Sequence, residues 1–286
     1  SKGISIGASD FGGFHNALQT VKQLLPTKLS SEPIEIPFCK IIDKPRFEWR
    51  GLMLDVSRHF FTIAEVKDYI NKMSEFKFNK FHWHLTDDEG WRVEIKSLPK
   101  LTEIGAWRGE RNGRFGEHRL PPAISEPKTY GGFYTQEQIK EVVEFAEKRN
   151  ITIIPEIDVP GHSMALLSAY PELSTKKEIT QVSVGHKFAE WFGDGSFKMH
   201  TENMLNPSDE KVYETLNKIY TEIASLFPGE YIHMGGDECY KGYWKESNEV
   251  KNFMQKNNMK NMHDLQAYFI DRVQKIIESK GKKMIG

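Results

Sequence analysis

From residue 50 onward, short apolar runs alternate with stretches of helical period. The runs are GLMLDV (51–56), FNKFHWHL (78–85), ITIIPEI (151–157), EYIHM (230–234) and KKMIG (282–286). Each has the length of a strand and is rich in branched or aromatic side chains. The stretches between them carry helix start signals. Thr62-Ile63-Ala64-Glu65 is a capping box ahead of Val66, Ile70 and Met73, and Thr135-Gln136-Glu137-Gln138 is another ahead of Ile139, Val142, Val143 and Ala146. Ser208 is placed to cap a helix carrying Val212, Leu216, Ile219 and Ile223. Leu265, Phe269, Val273 and Ile277 mark a further helix, which Gly281 can end in a left-handed turn. Upstream the pattern differs. GISIGASD reads as a strand and FHNALQTVKQLL as a helix with Phe14, Leu18, Val21 and Leu25 on one face. Residues 30–48 then hold Pro33, Pro37 and Pro45 and read as a linker.

Strand–helix alternation predicts a parallel sheet. Polar residues decide between an open and a closed one. No glycine-rich phosphate turn follows the first strand, which argues against a nucleotide-binding open sheet. Acids and histidines instead cluster after nearly every strand: Asp55, Arg58 and His59; His82, His84, Asp87 and Asp88; Glu156, Asp158 and His162; His233, Asp237 and Glu238. A (β/α)8 barrel gathers several strand ends into one site, so the expected fold class is α/β with a TIM-type barrel. Only about five of its strands can be counted. The missing three, with their helices, amount to roughly 90 residues. The expectation is a C-terminally truncated listing, with residues 46–286 the N-terminal portion of a catalytic barrel. Residues 1–45 would be the remnant of a small α+β domain plus linker. The connections 86–134 and 158–207 have the length of active-site loops.

Composition narrows the function. The 286 residues are 38% apolar, 28% charged and 12% aromatic, a globular balance. Thirty-nine basic against 40 acidic residues leave no surplus for binding nucleic acid through its phosphates. No run approaches ~18 apolar residues, so no membrane span is expected. The start of the chain lacks the form of a signal peptide. Two cysteines, Cys39 and Cys239, are too few for a disulfide framework or a cysteine zinc site.

The chemistry concentrates in four segments. HMGGDE (233–238) places two glycines and two adjacent carboxylates at a strand mouth. In a shielded site such a pair cannot ionise freely, and one raised pKa would supply a general acid near neutral pH. His-x-His in HWHLTDDEGW (82–91) is read equally well as a metal site or as structural histidines. In PEIDVPGH (155–162), Asp158 and His162 are candidate ligands or orienting groups. In Asp55-Val56-Ser57-Arg58-His59, Arg58 can clamp a substrate or pair with Asp55 or Asp87. Trp83, Trp91, Trp107, Trp191, Tyr243 and Trp244 fall near these loops, each more often packing than ligand.

RGLMLDVSRHF (50–60), FNKFHWHLTDDEGW (78–91), PEIDVPGH and HMGGDE together resemble the β-N-acetylhexosaminidases of glycoside hydrolase family 20, in that family's order and spacing. The resemblance implies an eight-stranded barrel that removes terminal N-acetylglucosamine or N-acetylgalactosamine from β-glycosides with retention, without cofactor or metal. Its partner would be a β-linked N-acetylhexosamine glycoconjugate or oligosaccharide. Glu238 matches the family's general acid/base, and Asp237 the residue that holds the substrate's acetamido N–H. The nucleophile is then the substrate's own acetamido oxygen, outside the usual two-carboxylate scheme. Arg58 matches a sugar-hydroxyl ligand, His162 and Asp87 a relay to the acid, and Asp158 a supporting substrate-binding residue. The family's usual setting implies a secreted, periplasmic or lysosomal protein. Pocket residues from its last strands have no counterpart here, and little activity is expected of this chain alone. Two other readings remain: a metal-dependent hydrolase of the amidohydrolase type using His82, His84, His162 and Asp237, and an inactive carbohydrate-binding fragment.

Overall fold

The computed structural model describes residues 3–26, 28, 33–113, 119–123, 125–178 and 180–286. Its centre is a five-stranded sheet of β1 (Gly51–Asp55), β2 (Lys80–His84), β3 (Thr152–Glu156), β4 (Tyr231–His233) and β5 (Lys283–Ile285). These are the five predicted runs. They pair in sequence order and all in parallel. A doubly wound sheet reverses its order at a switch point, and this one does not.

The main helices are α1 (Phe11–Gln23), α2 (Ile63–Glu75), α3 (Gln136–Glu147), α4 (Glu210–Leu226) and α5 (Met262–Glu278). Both predicted capping boxes form, at Thr62 with Glu65 and at Thr135 with Gln138. Helix α4 starts one residue later than expected. Asp209 caps it, while the Ser208 hydroxyl donates to Asn206 Oδ1. Gly281 follows α5 with φ +73°, as its position predicts. Consecutive helices pack side by side, α2 on α3, α3 on α4 and α4 on α5. They cover one sheet face, where Phe81, Trp83, Ile153 and Ile232 are buried among Val66, Ile139, Leu216 and Phe269. Alternation along the strands turns His82, His84, Glu156 and His233 to the opposite face.

Two upstream expectations fail. GISIGASD forms no strand. Helix α1 forms, but its apolar face is not its buried one: Phe14 and Leu18 are exposed, and Gln19 is its one buried residue. Polar contacts seat it instead. His15 Nε2 and Ser74 Oγ are 2.8 Å apart, and Lys77 donates to Thr20 Oγ1. Periodicity finds an apolar stripe but not what the stripe faces.

The two long connections carry small elements of their own. Antiparallel pairs join Thr86–Asp87 to Gly90–Trp91, Trp107–Arg108 to Tyr130–Gly131, and Ala189–Trp191 to Phe197–Met199. Arg92 clasps the first of these connections. Fully buried, it donates to the carbonyls of Val56, Ser57, Ala106 and Gly132. Gly90 is required beside it, because a Cβ there would lie 2.2 Å from the guanidinium. Among the described residues no helix is long and apolar enough to cross a membrane.

Candidate active site

Register places Asp55, His84, Glu156 and His233 opposite one another at the C-terminal ends of four adjacent strands. Glu156 is the hub of this layer. Its Oε2 lies 2.6 Å from both His82 Nε2 and His84 Nδ1, and its Oε1 lies 3.2 Å from His233 Nδ1. Burial alone would raise the Glu156 pKa, but the three histidines hold it well below the usual carboxylate range.

Asp87 forms the second hub. Its Oδ2 accepts from His84 Nε2 at 2.8 Å and pairs with Arg58 Nη1 at 2.6 Å. Its Oδ1 accepts from His162 Nδ1 at 3.1 Å. Asp87 is 1% exposed, yet His162 and His84 outweigh desolvation and keep it ionised. The reciprocal holds for the rings. Desolvation opposes their charge, but Asp87 and Glu156 push His84 up to about 10, and Asp87 with Asp88 and Asp158 pushes His162 up to about 11. Both are imidazolium ions at neutral pH. In that state both nitrogens of His84 donate, one to each carboxylate hub.

From His162 the chain continues outward. Its Nε2 lies 3.3 Å from Glu238 Oε2, completing a line Asp87–His162–Glu238. His162 and Glu238 both hold left-handed backbone, at φ +50° and +42°. For residues other than glycine this costs on the order of 1–3 kcal/mol and clusters at functional sites. Asp237 and Glu238 are exposed, so the described residues do not form the shielded pocket expected around this pair.

Asp158 is a raised acid of this site. Burial, with Asp87, Asp237 and Glu156, pushes it up to about 8 against the pull of His162. It does not lie open to a ligand. It is 3% exposed, and its Oδ1 accepts from Gly236 N at 3.2 Å. The two glycines thus bend closely around Asp158. At Gly235 (φ +69°) a Cβ would lie 1.8 Å from Asp158 Oδ1.

All six residues singled out as catalytic or substrate-binding (Arg58, Asp87, Asp158, His162, Asp237 and Glu238) meet at this end of the sheet. His59 does not join them; its Nδ1 pairs with Tyr130 Oη at 2.8 Å. Of the aromatics, Trp83, Trp91 and Trp244 are core residues and Trp191 is exposed. Sequence reasoning missed Glu89. It is 4% exposed, accepts from Arg58 Nε at 3.1 Å, and is pushed up to about 8 by burial and by Asp87 and Asp88. It also passed over Asn203, whose amide donates to Asp88 Oδ2 at 3.0 Å. The turn-rich DDE motif signalled a site, but nothing in one sequence says which acid turns inward. Among the described residues, four sets of histidine and carboxylate atoms converge within 4.8 Å, including His82–Glu156–His233 and Asp158–His162–Asp237.

Comparison with known proteins settles the lineage. The profile described as glycosyl hydrolase family 20, catalytic domain, matches residues 47–286. The chain belongs to glycosyl hydrolase family 20. It is 40% identical over 291 residues to a beta-hexosaminidase of Porphyromonas gingivalis, covering all of this chain and 34% of that protein. Identity is 41% over 287 residues to a beta-hexosaminidase of Vibrio furnissii, covering all of this chain and 44% of that protein. The crystal structure of the family 20 exo-β-N-acetylglucosaminidase of Vibrio harveyi with N-acetylglucosamine superposes with TM-score 0.79. That match is 43% identical over 95% of this chain and 40% of that one. The chain thus spans less than half the length of these relatives. Family 20 membership removes the amidohydrolase reading.

Proposed function

We propose that the protein is a retaining exo-β-N-acetylhexosaminidase, and that this chain supplies the first five strands of its eight-stranded barrel. The observation that carries the reading is the line Asp87–His162–Glu238 with Asp237 beside its outer end. Glu238 is the general acid that protonates the leaving oxygen, and then the base that activates water. Its conjugate base forms next to the His162 imidazolium, which stabilises it and is itself held by buried Asp87. Asp237 accepts the acetamido N–H and orients the acetamido oxygen toward the anomeric carbon. The oxygen attacks as the glycosidic bond breaks, and water reopens the ring intermediate with net retention. No enzyme nucleophile is needed, which suits a site whose two candidate carboxylates are adjacent in the chain rather than placed on opposite sides of the scissile bond.

Arg58 binds ring hydroxyls. Asp158 shapes the turn that aims Asp237 and Glu238. The substrate is a β-linked terminal N-acetylglucosaminide or N-acetylgalactosaminide.

The test is hydrolysis of an aryl β-N-acetylglucosaminide beside the matching β-glucoside by the full-length protein, with and without chelator. Turnover is expected for the N-acetyl sugar alone and with chelator present. Efficient cleavage of the plain glucoside, or loss of turnover on chelation, overturns the reading.

A further inference from the structure

The Arg58 guanidinium is held on two of its three nitrogens. Nη1 lies 3.0 Å from Asp55 Oδ2 and 2.6 Å from Asp87 Oδ2, and Nε donates to Glu89 Oε2 at 3.1 Å. Nη2 meets no acceptor among the described residues. The anchors on two sides fix the guanidinium plane, and so fix where the Nη2 hydrogens point.

Asp55 and Asp87 sit at strand ends, but Glu89 depends on a second contact. Its Oε1 lies 3.1 Å from Ser183 Oγ, within hydrogen-bond distance, and Ser183 Oγ accepts from Gly185 N at 3.1 Å. Ser183 N donates to Asp88 O at 2.9 Å, and Val182 and Val184 are buried on either side. A piece of the β3–β4 connection is thus locked onto the turn after β2, and Glu89 is the bolt between that piece and Arg58.

We propose that Glu89, braced by Ser183, is the positioning residue that sets the pose of Arg58 for sugar binding. The inference rests on the function proposed above for Arg58. It assigns Glu89 no contact with substrate; Glu89 acts through the guanidinium.

The charges around Glu89 say how it does so. Asp87 and Asp88 lie on its own turn, Arg58 faces it from the turn after β1, and Arg92 and Arg108 act on it from the same connection. Burial among them, with the two aspartates, favours the neutral acid at neutral pH. Its part at neutral pH is then geometric, a hydrogen bond to Nε rather than a third negative charge on Arg58. Glutamine reproduces that part: its carbonyl accepts from Nε while its amide donates to Ser183 Oγ.

The experiment compares Glu89→Ala, Glu89→Gln and Ser183→Ala with the unaltered full-length protein at pH 6.5, on an aryl β-N-acetylglucosaminide. Glu89→Ala is expected to raise KM about 10-fold with a smaller change in kcat, the pattern of lost ground-state binding. Glu89→Gln should return KM to within about 3-fold of the unaltered protein, and Ser183→Ala should fall between them. Equal damage from Ala and Gln, or an unchanged KM in Glu89→Ala, overturns the proposal.

A second readout is independent of turnover and of folding yield. The Nε–H resonance of Arg58, assigned by nitrogen-15 NMR, should keep its protection from solvent exchange in Glu89→Gln. Loss of protection in Glu89→Gln, or equal protection in the unaltered protein and a folded Glu89→Ala, also overturns it. If the unaltered protein does not hydrolyse the N-acetyl sugar, the proposed function has failed, and the NMR result alone then decides the Glu89–Arg58 coupling.

Discussion

Asp87 Oδ1 and His162 Nδ1 are joined by a 3.1 Å hydrogen bond in which both groups are charged, deep in a site that would otherwise neutralise each of them. The pairing keeps a proton on the ring that faces Glu238. Asp87→Asn removes the charge and keeps the shape. With it goes the main support for the imidazolium, so the ring loses its proton nearer its ordinary range around 6.5. The expected result is a fall in kcat of about 100-fold, within the range for general acid–base catalysis. The alkaline limb of the pH–rate profile should also move to lower pH. Steady-state kinetics from pH 5 to 9 on the full-length protein checks both. An unchanged profile would detach Asp87 from the acid.

Glu156 predicts a stability effect. It is 5% exposed and engages three imidazoles, of which His84 is charged and buried. Glu156→Ala leaves that charge with one carboxylate instead of two. Breaking a buried pair on one side costs about 3–5 kcal/mol. Urea denaturation should show a loss of that order, with Glu156→Gln milder because its carbonyl still accepts from one ring. A loss below about 0.5 kcal/mol, the range of an ordinary surface change, would mean that the hub is not structural.

Legibility followed the range of the interactions. Local signals read true at the capping boxes of Thr62 and Thr135 and at the five apolar runs that form the strands of the sheet. That the candidate residues converge was legible because they follow the C-terminal ends of strands, which parallel register brings together. What was lost depends on long-range partners. Gln19 rather than Phe14 is buried in α1, where its amide lies 3.3 Å from His15 Nε2, the atom that meets Ser74 of α2. Glu89 turns inward while Glu238 stays exposed, and the contact that decides it comes from Ser183, 94 positions away.

Ionisation also fixes how stability varies with pH. His84 and His162, raised from 6.5 to about 10 and 11, bind more protons folded than unfolded. Their stabilisation is complete below pH 6.5 and is lost as pH rises through 10 to 11. Glu89 and Asp158, both raised to about 8, also favour the folded state at low pH, and they penalise it progressively from about pH 4 to 8. Asp87 and Glu156 are depressed and act oppositely, so their stabilisation is lost as pH falls below the usual carboxylate range. The sum places maximal stability near pH 5. Unfolding free energies from urea titrations at pH 5, 7 and 9 should fall in that order by at least about 1 kcal/mol overall, a several-fold change in the folding constant. A maximum at pH 9 would contradict the charge states assigned to all four raised groups.

Gly235 ties backbone geometry to the placement of Asp237 and Glu238. It adopts φ +69°, and an added Cβ would lie 1.8 Å from Asp158 Oδ1 and 3.0 Å from Asp158 Cα. Left-handed backbone alone costs alanine about 1–2 kcal/mol. The clash cannot be relieved by swinging a side chain away, because Asp158 is buried and its Oδ1 already accepts from Gly236 N. Gly235→Ala must therefore shift the turn, and with it Asp237 and Glu238, two and three residues on. A displacement of about 1 Å at a catalytic group can cost 100-fold. The expected outcome is a folded but destabilised protein with kcat reduced by at least about 10-fold. Gly193→Ala is the matched control, since a Cβ there meets nothing within 4 Å. It should stay within about 0.5 kcal/mol of the unaltered protein and keep its turnover. If Gly235→Ala also keeps full turnover, the aim of the two carboxylates does not depend on the Asp158 turn.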